Sequence, residues 1–159
     1  MNIITILIAA IVLMYLFGCL SKKEHFETNT TVTIRTTDGK YLTVLPNKAL
    51  AITNDPKSKG IFSVMKFNDT VIALSSQDGR YISACFGDKC SDSITVDNHN
   101  PYGANAKLTL IKNPPNKSDS SYKITFYDGK FMKLDIDGSI TKTRDKTKSL
   151  DVFIENVIS

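Results

Sequence analysis

Three times along this chain an Asp-Gly pair is followed by a basic residue, an aromatic residue and an aliphatic or Met side chain. That recurrence limits the fold more than any other feature. The copies are Asp38-Gly39-Lys40-Tyr41-Leu42, Asp78-Gly79-Arg80-Tyr81-Ile82 and Asp128-Gly129-Lys130-Phe131-Met132. Asp-Gly suits a tight hairpin turn because it tolerates positive φ, and β-branched or aromatic runs on either side mark strands. Before the first turn, Val32, Ile34 and Thr36 alternate with Thr33, Arg35 and Thr37. The runs Thr70 to Ser76 and Ser121 to Phe126 precede the other two. The Asp-Gly pairs lie 40 and 50 residues apart, so three matches in register amount to an internal repeat.

Each copy continues in the same way. Short runs follow at Ala49 to Thr53, Ser93 to Val96 and Ser139 to Thr143, then at Ile61 to Phe67, Lys107 to Ile111 and Leu150 to Glu155. The segments between them are rich in Pro, Gly, Asn and Ser, which suit turns and do not suit strand interiors. No stretch beyond residue 30 has a useful helical period. The reading is all-β, with three four-stranded units at about 31–69, 70–113 and 120–157. One unit alone leaves an apolar face exposed, so pseudo-threefold closure into a barrel with a hairpin lid is expected. Tyr41, Tyr81 and Phe131 then take equivalent places beside or within the core, as packing residues.

The chain also carries an apolar head. Met1 to Ser21 contains no charged side chain, and Ile3 to Leu20 reads IITILIAAIVLMYLFGCL. At about 1.5 Å per residue such a run spans roughly 30 Å, the thickness of a bilayer core. A transmembrane anchor over 1–21 is expected, with the lipid bilayer as partner and 22–30 as a short polar tether to a domain over 31–159. Lys22 and Lys23 follow the run, which under the positive-inside tendency puts the domain on the cytosolic side. Two alternatives stand beside the anchor. One is a cleaved signal peptide, although the head lacks its usual basic residue; the other is a lipidation site at Leu16-Phe17-Gly18-Cys19.

The remaining residues support one domain and narrow its chemistry. Net charge is +4 with lysines and aspartates interspersed, so no specific nucleic-acid partner is expected. The one locally basic stretch, Lys142 to Lys148 (KTRDKTK), reads as a solvated loop because Asp145 interrupts it. Cys85 and Cys90 flank a four-residue loop and are within reach of a disulfide in an oxidising compartment, or remain a free thiol pair in the cytosol. The pair has no histidine nearby in sequence, so no metal site and no cofactor are expected. Formal glycosylation acceptors occur at Asn29, Asn68 and Asn116. The histidines are His25, in the tether, and His99, in a loop near Asp92 and Asp97. Neither has a recognisable nucleophile and partner, so the chain is not expected to be an enzyme.

The triple Asp38-Gly39-Lys40-Tyr41-Leu42, Asp78-Gly79-Arg80-Tyr81-Ile82 and Asp128-Gly129-Lys130-Phe131-Met132 resembles the repeat of the β-trefoil superfamily, in its fascin-like, actin-crosslinking type. The resemblance implies a β-trefoil behind one N-terminal transmembrane helix. It also implies a later core aromatic, which corresponds to Phe62 in the first unit and Phe153 in the third, with only Leu108 or Leu110 in the second. Ricin-type trefoils carry a Gln-x-Trp signature, and this chain has no Trp. The junction Lys22-Lys23-Glu24-His25-Phe26-Glu27 is similar to that of small virion membrane proteins of large double-stranded DNA viruses. It implies a minor capsid protein in a virion's internal membrane, its domain facing capsid proteins. The alternative is a membrane-displayed module that binds a glycan or a receptor. Recognition is then expected in the variable loops Asp97 to Asn105 and Asn113 to Ser120, with His99, Tyr102 and Asn105 as candidate contacts.

Overall fold

The computed structural model describes residues 30–85, 92–114 and 120–157. Within them the chain forms twelve strands: β1 (Thr31–Thr36), β2 (Tyr41–Val44), β3 (Leu50–Thr53), β4 (Phe62–Lys66), β5 (Val71–Ser76), β6 (Tyr81–Ala84), β7 (Ile94–Asn98), β8 (Leu108–Lys112), β9 (Tyr122–Phe126), β10 (Phe131–Leu134), β11 (Ile140–Thr143) and β12 (Asp151–Asn156). The helical structure among the described residues is three 3-10 turns, Pro56–Ser58, Ala104–Ala106 and Lys146–Lys148. No described helix is long and apolar enough to cross a membrane. The apolar run Met1–Ser21, the tether up to residue 29 with His25, Cys90, the acceptors Asn29 and Asn116, and residues 115–119 of the Asn113–Ser120 loop lie outside the described residues.

Six strands close on themselves. β1 pairs with β4, β4 with β5, β5 with β8, β8 with β9, β9 with β12, and β12 returns to β1, all antiparallel. Closure leaves this ring without a free edge. The other six form hairpins β2–β3, β6–β7 and β10–β11, each joined to the barrel beyond an Asp-Gly turn through Arg35↔Tyr41, Ser75↔Tyr81 and Thr125↔Phe131. The hairpins meet one another at Ala49↔Thr95, Ala51↔Ser139 and Ser93↔Thr141. There the N–H groups of Val96, Ile52 and Lys142 donate to the carbonyls of Lys48, Gly138 and Asp92 at 2.8, 3.2 and 3.0 Å. A barrel and an outer layer of hairpins thus interlock by backbone bonds.

The core follows from the period of two. Val32 and Ile34, Ile72 and Leu74, and Tyr122 and Ile124 point inward from β1, β5 and β9; Leu42, Ile82 and Met132 do so from β2, β6 and β10. The aromatics just before that last set, Tyr41, Tyr81 and Phe131, are only half-buried. The register pairs Val32 with Phe62, Ile72 with Leu108 and Tyr122 with Val152. Val152, not Phe153, is therefore the third-unit counterpart of Phe62, and Phe153 faces outward. A one-residue shift in a strand moves a side chain to the opposite face. Phe62 is the bulkiest of the three, and room for its ring comes from Gly60. A Cβ there would lie 2.8 Å from the ring and from the Leu42 carbonyl.

Lys142 also departs from the sequence reading. It lies in β11 at 5 % exposure, while the residues after it, Arg144 to Lys148, are the solvated part of the basic stretch.

Candidate functional site

The Asp-Gly turns are built alike and fastened differently. Gly39, Gly79 and Gly129 have φ of 86, 76 and 74°, with nothing within 4 Å of a Cβ, so the turn requires the conformation and not the space. In the first turn the Thr36 hydroxyl donates to Asp38, and in the second the Ser76 hydroxyl donates to Asp78 Oδ1 at 2.5 Å. Asp78 also takes Lys48 Nζ at 2.9 Å, and these donors hold its carboxyl well below the usual range. Asp38 is lowered by Lys40 and then by Thr36. The third turn has Phe126 where the hydroxyl would be. Asp128 accepts the Lys130 N–H at 3.1 Å and Lys142 Nζ at 2.9 Å. Burial pushes Asp128 upward, but these partners outweigh it and its pKa is lowered. The motif aspartates are thus occupied in holding turns and unit junctions.

Next to the second turn, a cleft of about 400 Å³ separates the first and second units, lined by Val44, Leu45, Pro46, Lys48, Lys59, Gln77 and Asp78 among others. Lys48 has φ of 66°, at the hairpin position that Gly138 fills in the third unit with φ of 85°. Its ammonium reaches across the cleft to Asp78. That ion pair ties two units together and is half in solvent.

The candidate recognition loop runs from β7 to β8. Asn98 Oδ1 accepts the Asn100 N–H at 2.9 Å, Asn100 Oδ1 accepts the Tyr102 N–H at 3.0 Å, and Asn98 Nδ2 donates to Asn105 Oδ1 at 3.3 Å. A Cβ at Gly103 would lie 2.6 Å from Asn105 Oδ1, so glycine there lets that amide fold back. Tyr102 stands 69 % exposed. Its ring meets Phe67, just after β4, edge to face at 5.9 Å and 74°. Lys107 Nζ lies 5.0 Å from the centroid of the same Phe67 ring. The result is an exposed tyrosine on a half-buried phenylalanine, flanked by amides and one ammonium. Tyr102 and Asn105 come into this neighbourhood from one loop, while His99 is exposed. Phe67 and Lys107 were not among the candidates. Phe67 belongs to another unit, and no local pattern signals the pairing.

Cys85, just after β6, is disulfide-bonded. The other cysteines of the chain, Cys19 and Cys90, lie outside the described residues. Among the described residues no group of three or more His, Cys, Asp or Glu side chains can hold a metal.

No protein-family model and no curated protein matches this chain. Solved structures do match in fold. SeviL bound to asialo-GM1 saccharide superposes with a TM-score of 0.64 at 10 % identity, over 82 % of this chain and 100 % of SeviL. The lysenin pore superposes with a TM-score of 0.61 at 14 % identity, over 81 % of this chain. The chain spans 46 % of the lysenin chain's length. The domain is all-β, with a β-trefoil-like core similar in fold to these structures.

These neighbours overturn the first functional reading. One holds a saccharide and the other is a pore, and neither is a capsid component, so the reading as a virion component linking an internal membrane to capsid proteins is withdrawn, and the virion and minor capsid assignments fall with it. The localisation as a single-pass membrane protein with a cytosolic or capsid-facing domain is corrected as well. The described helical turns are far too short to span a bilayer, and the run that suggested the anchor lies outside the described residues.

Proposed function

We propose that this domain is a glycan-binding module and that the Tyr102–Phe67 patch is where the sugar ring rests. The observation that carries this reading is the exposed Tyr102 ring set against the half-buried Phe67, with Asn98, Asn105 and Lys107 around them. A sugar presents C–H faces that pack on aromatic rings and hydroxyls that need planar amide donors and acceptors. The likeness to SeviL in its saccharide-bound form supports it, and the likeness to the lysenin pore fits a glycan displayed on a lipid surface. The same reading takes the domain as one β-trefoil of three repeats, about 31–69, 70–113 and 120–157. Cys90 is proposed as the partner of Cys85, which agrees with a module working in an oxidising compartment.

Calorimetric titration of the full-length chain with the asialo-GM1 saccharide tests it. Tyr102→Ala should weaken binding by at least about tenfold, with an unchanged melting temperature because the ring is exposed. Unaltered affinity in that variant, or no binding by the native chain, would sink the proposal.

A further inference from the structure

On the outer surface of the barrel, three side chains stand in one row across β2, β1 and β12. Arg35 is opposite Tyr41 on one side and opposite Phe153 on the other. Its guanidinium carbon lies 4.9 Å from the Phe153 ring centroid, and its Nε donates to Glu155 Oε1 at 2.6 Å. Lys59 Nζ stands 5.7 Å from the Tyr41 centroid. The other two units show what the fold itself requires here. The corresponding rows are Tyr81, Ser75 and Ser63 in one and Phe131, Thr125 and Thr109 in the other. Small hydroxyl residues suffice at the positions of Arg35 and Phe153. The cation and the second ring are specific to the seam where the first and last strands meet.

We infer that the Tyr41–Arg35–Phe153 row is a second binding site, which takes the carboxylate of an acidic sugar. This rests on the glycan-binding reading and adds a ligand class to it. Glu155 holds the guanidinium through Nε and so fixes its plane. Among the described residues the two Nη groups have no hydrogen-bond partner, and the Arg35 side chain is 29 % exposed. Two parallel N–H donors match the two oxygens of a carboxylate. Arg35 and Lys59 against Glu155 leave the patch with one net positive charge, which favours an anion. The rings on either side give the body of a pyranose apolar surface to rest on, which a bare inorganic anion does not use.

The test is an NMR titration of the full-length chain with methyl glucuronide, methyl galactoside and inorganic phosphate in parallel. Methyl glucuronide should shift the amide signals of Arg35, Tyr41 and Phe153 saturably, and methyl galactoside should leave them in place. Arg35→Lys keeps the charge but loses the fork, so it should weaken glucuronide binding by at least about tenfold. Phe153→Leu, which keeps an apolar residue on β12, should weaken it severalfold. Tyr102→Ala should leave it unchanged. Glucuronide binding that survives Arg35→Lys, phosphate that binds as tightly as glucuronide, or no shift at all in the native chain would each overturn the assignment. Loss of asialo-GM1 binding in Tyr102→Ala is read separately, so either site can fail while the other stands.

Discussion

The first two Asp-Gly turns and the third have the same backbone and different wiring. In the first two, a hydroxyl two residues before the aspartate fastens the carboxylate within its own turn, and Asp78 alone of the two also takes a cation, Lys48, from another unit. In the third, Phe126 spends that position on the core, and Asp128 reaches instead for Lys142 on β11. Lys142 Nζ also donates to the Cys85 carbonyl at 2.9 Å, so the third turn is tied to its own hairpin and to the second unit at once. A local bond that the sequence repeats has been exchanged for a buried cation that joins two units. An identical motif can therefore be a self-contained turn in one copy and part of a junction in another.

The sharpest way to break this contrast is Phe126→Thr, which gives the third turn the hydroxyl of the first. The new hydroxyl sits where a buried ring was, and the loss of packing should dominate, at about 3 kcal/mol by analogy with large-to-small core changes. Chemical denaturation measures it. A variant as stable as the native chain would mean that the turn, not the ring, governs this position. Lys142→Met comes next. It keeps the length of the stem but leaves Asp128 and the Cys85 carbonyl without their ammonium, with the Asp128 side chain only 25 % exposed. Removing one partner of a pair so placed should cost about 2 kcal/mol. A loss of a few tenths, as for exposed ion pairs, would show that Lys142 is no more than a surface group.

Why some of this was legible and some was not can be seen at single residues. Asp38, Asp78 and Asp128 announce themselves because turn chemistry is contiguous in sequence, and the strands around them follow from alternation. Phe153 was placed one position off because alternation marks two faces without saying which is inward; Val152 and Phe153 are both apolar, and the pairing of Val152 with Tyr122 decides between them. Lys142 reads as a member of a solvated basic run, since its partners Asp128 and the Cys85 carbonyl lie 14 and 57 residues away along the chain. The recognition patch was half visible. Tyr102 and Asn105 share a loop, but the partners that make them a surface, Phe67 and Lys107, are brought in by the hairpin between β4 and β5 and by the start of β8. Arg35 gave no signal, because a charged residue on the outer face of a strand is ordinary until the ring beside it is known.

The smallest effect tests the self-contained turn. Thr36→Val keeps the shape of a buried side chain and removes the hydroxyl that donates to Asp38 and accepts the Lys40 N–H at 3.1 Å. At neutral pH the loss should be about 1 kcal/mol. Acid separates this from a packing effect. The Asp38 carboxyl is held below its unfolded value of 3.8 by Lys40 and Thr36. Its contribution is therefore present above about pH 4 and is lost as pH falls through the lower value of the folded state. The gap between native and Thr36→Val melting temperatures should be widest at pH 6 to 7 and should shrink as acid protonates Asp38. A gap that stays constant across that range would assign Thr36 to packing alone. The local wiring of the first turn would then differ less from that of the third than its hydrogen bonds suggest.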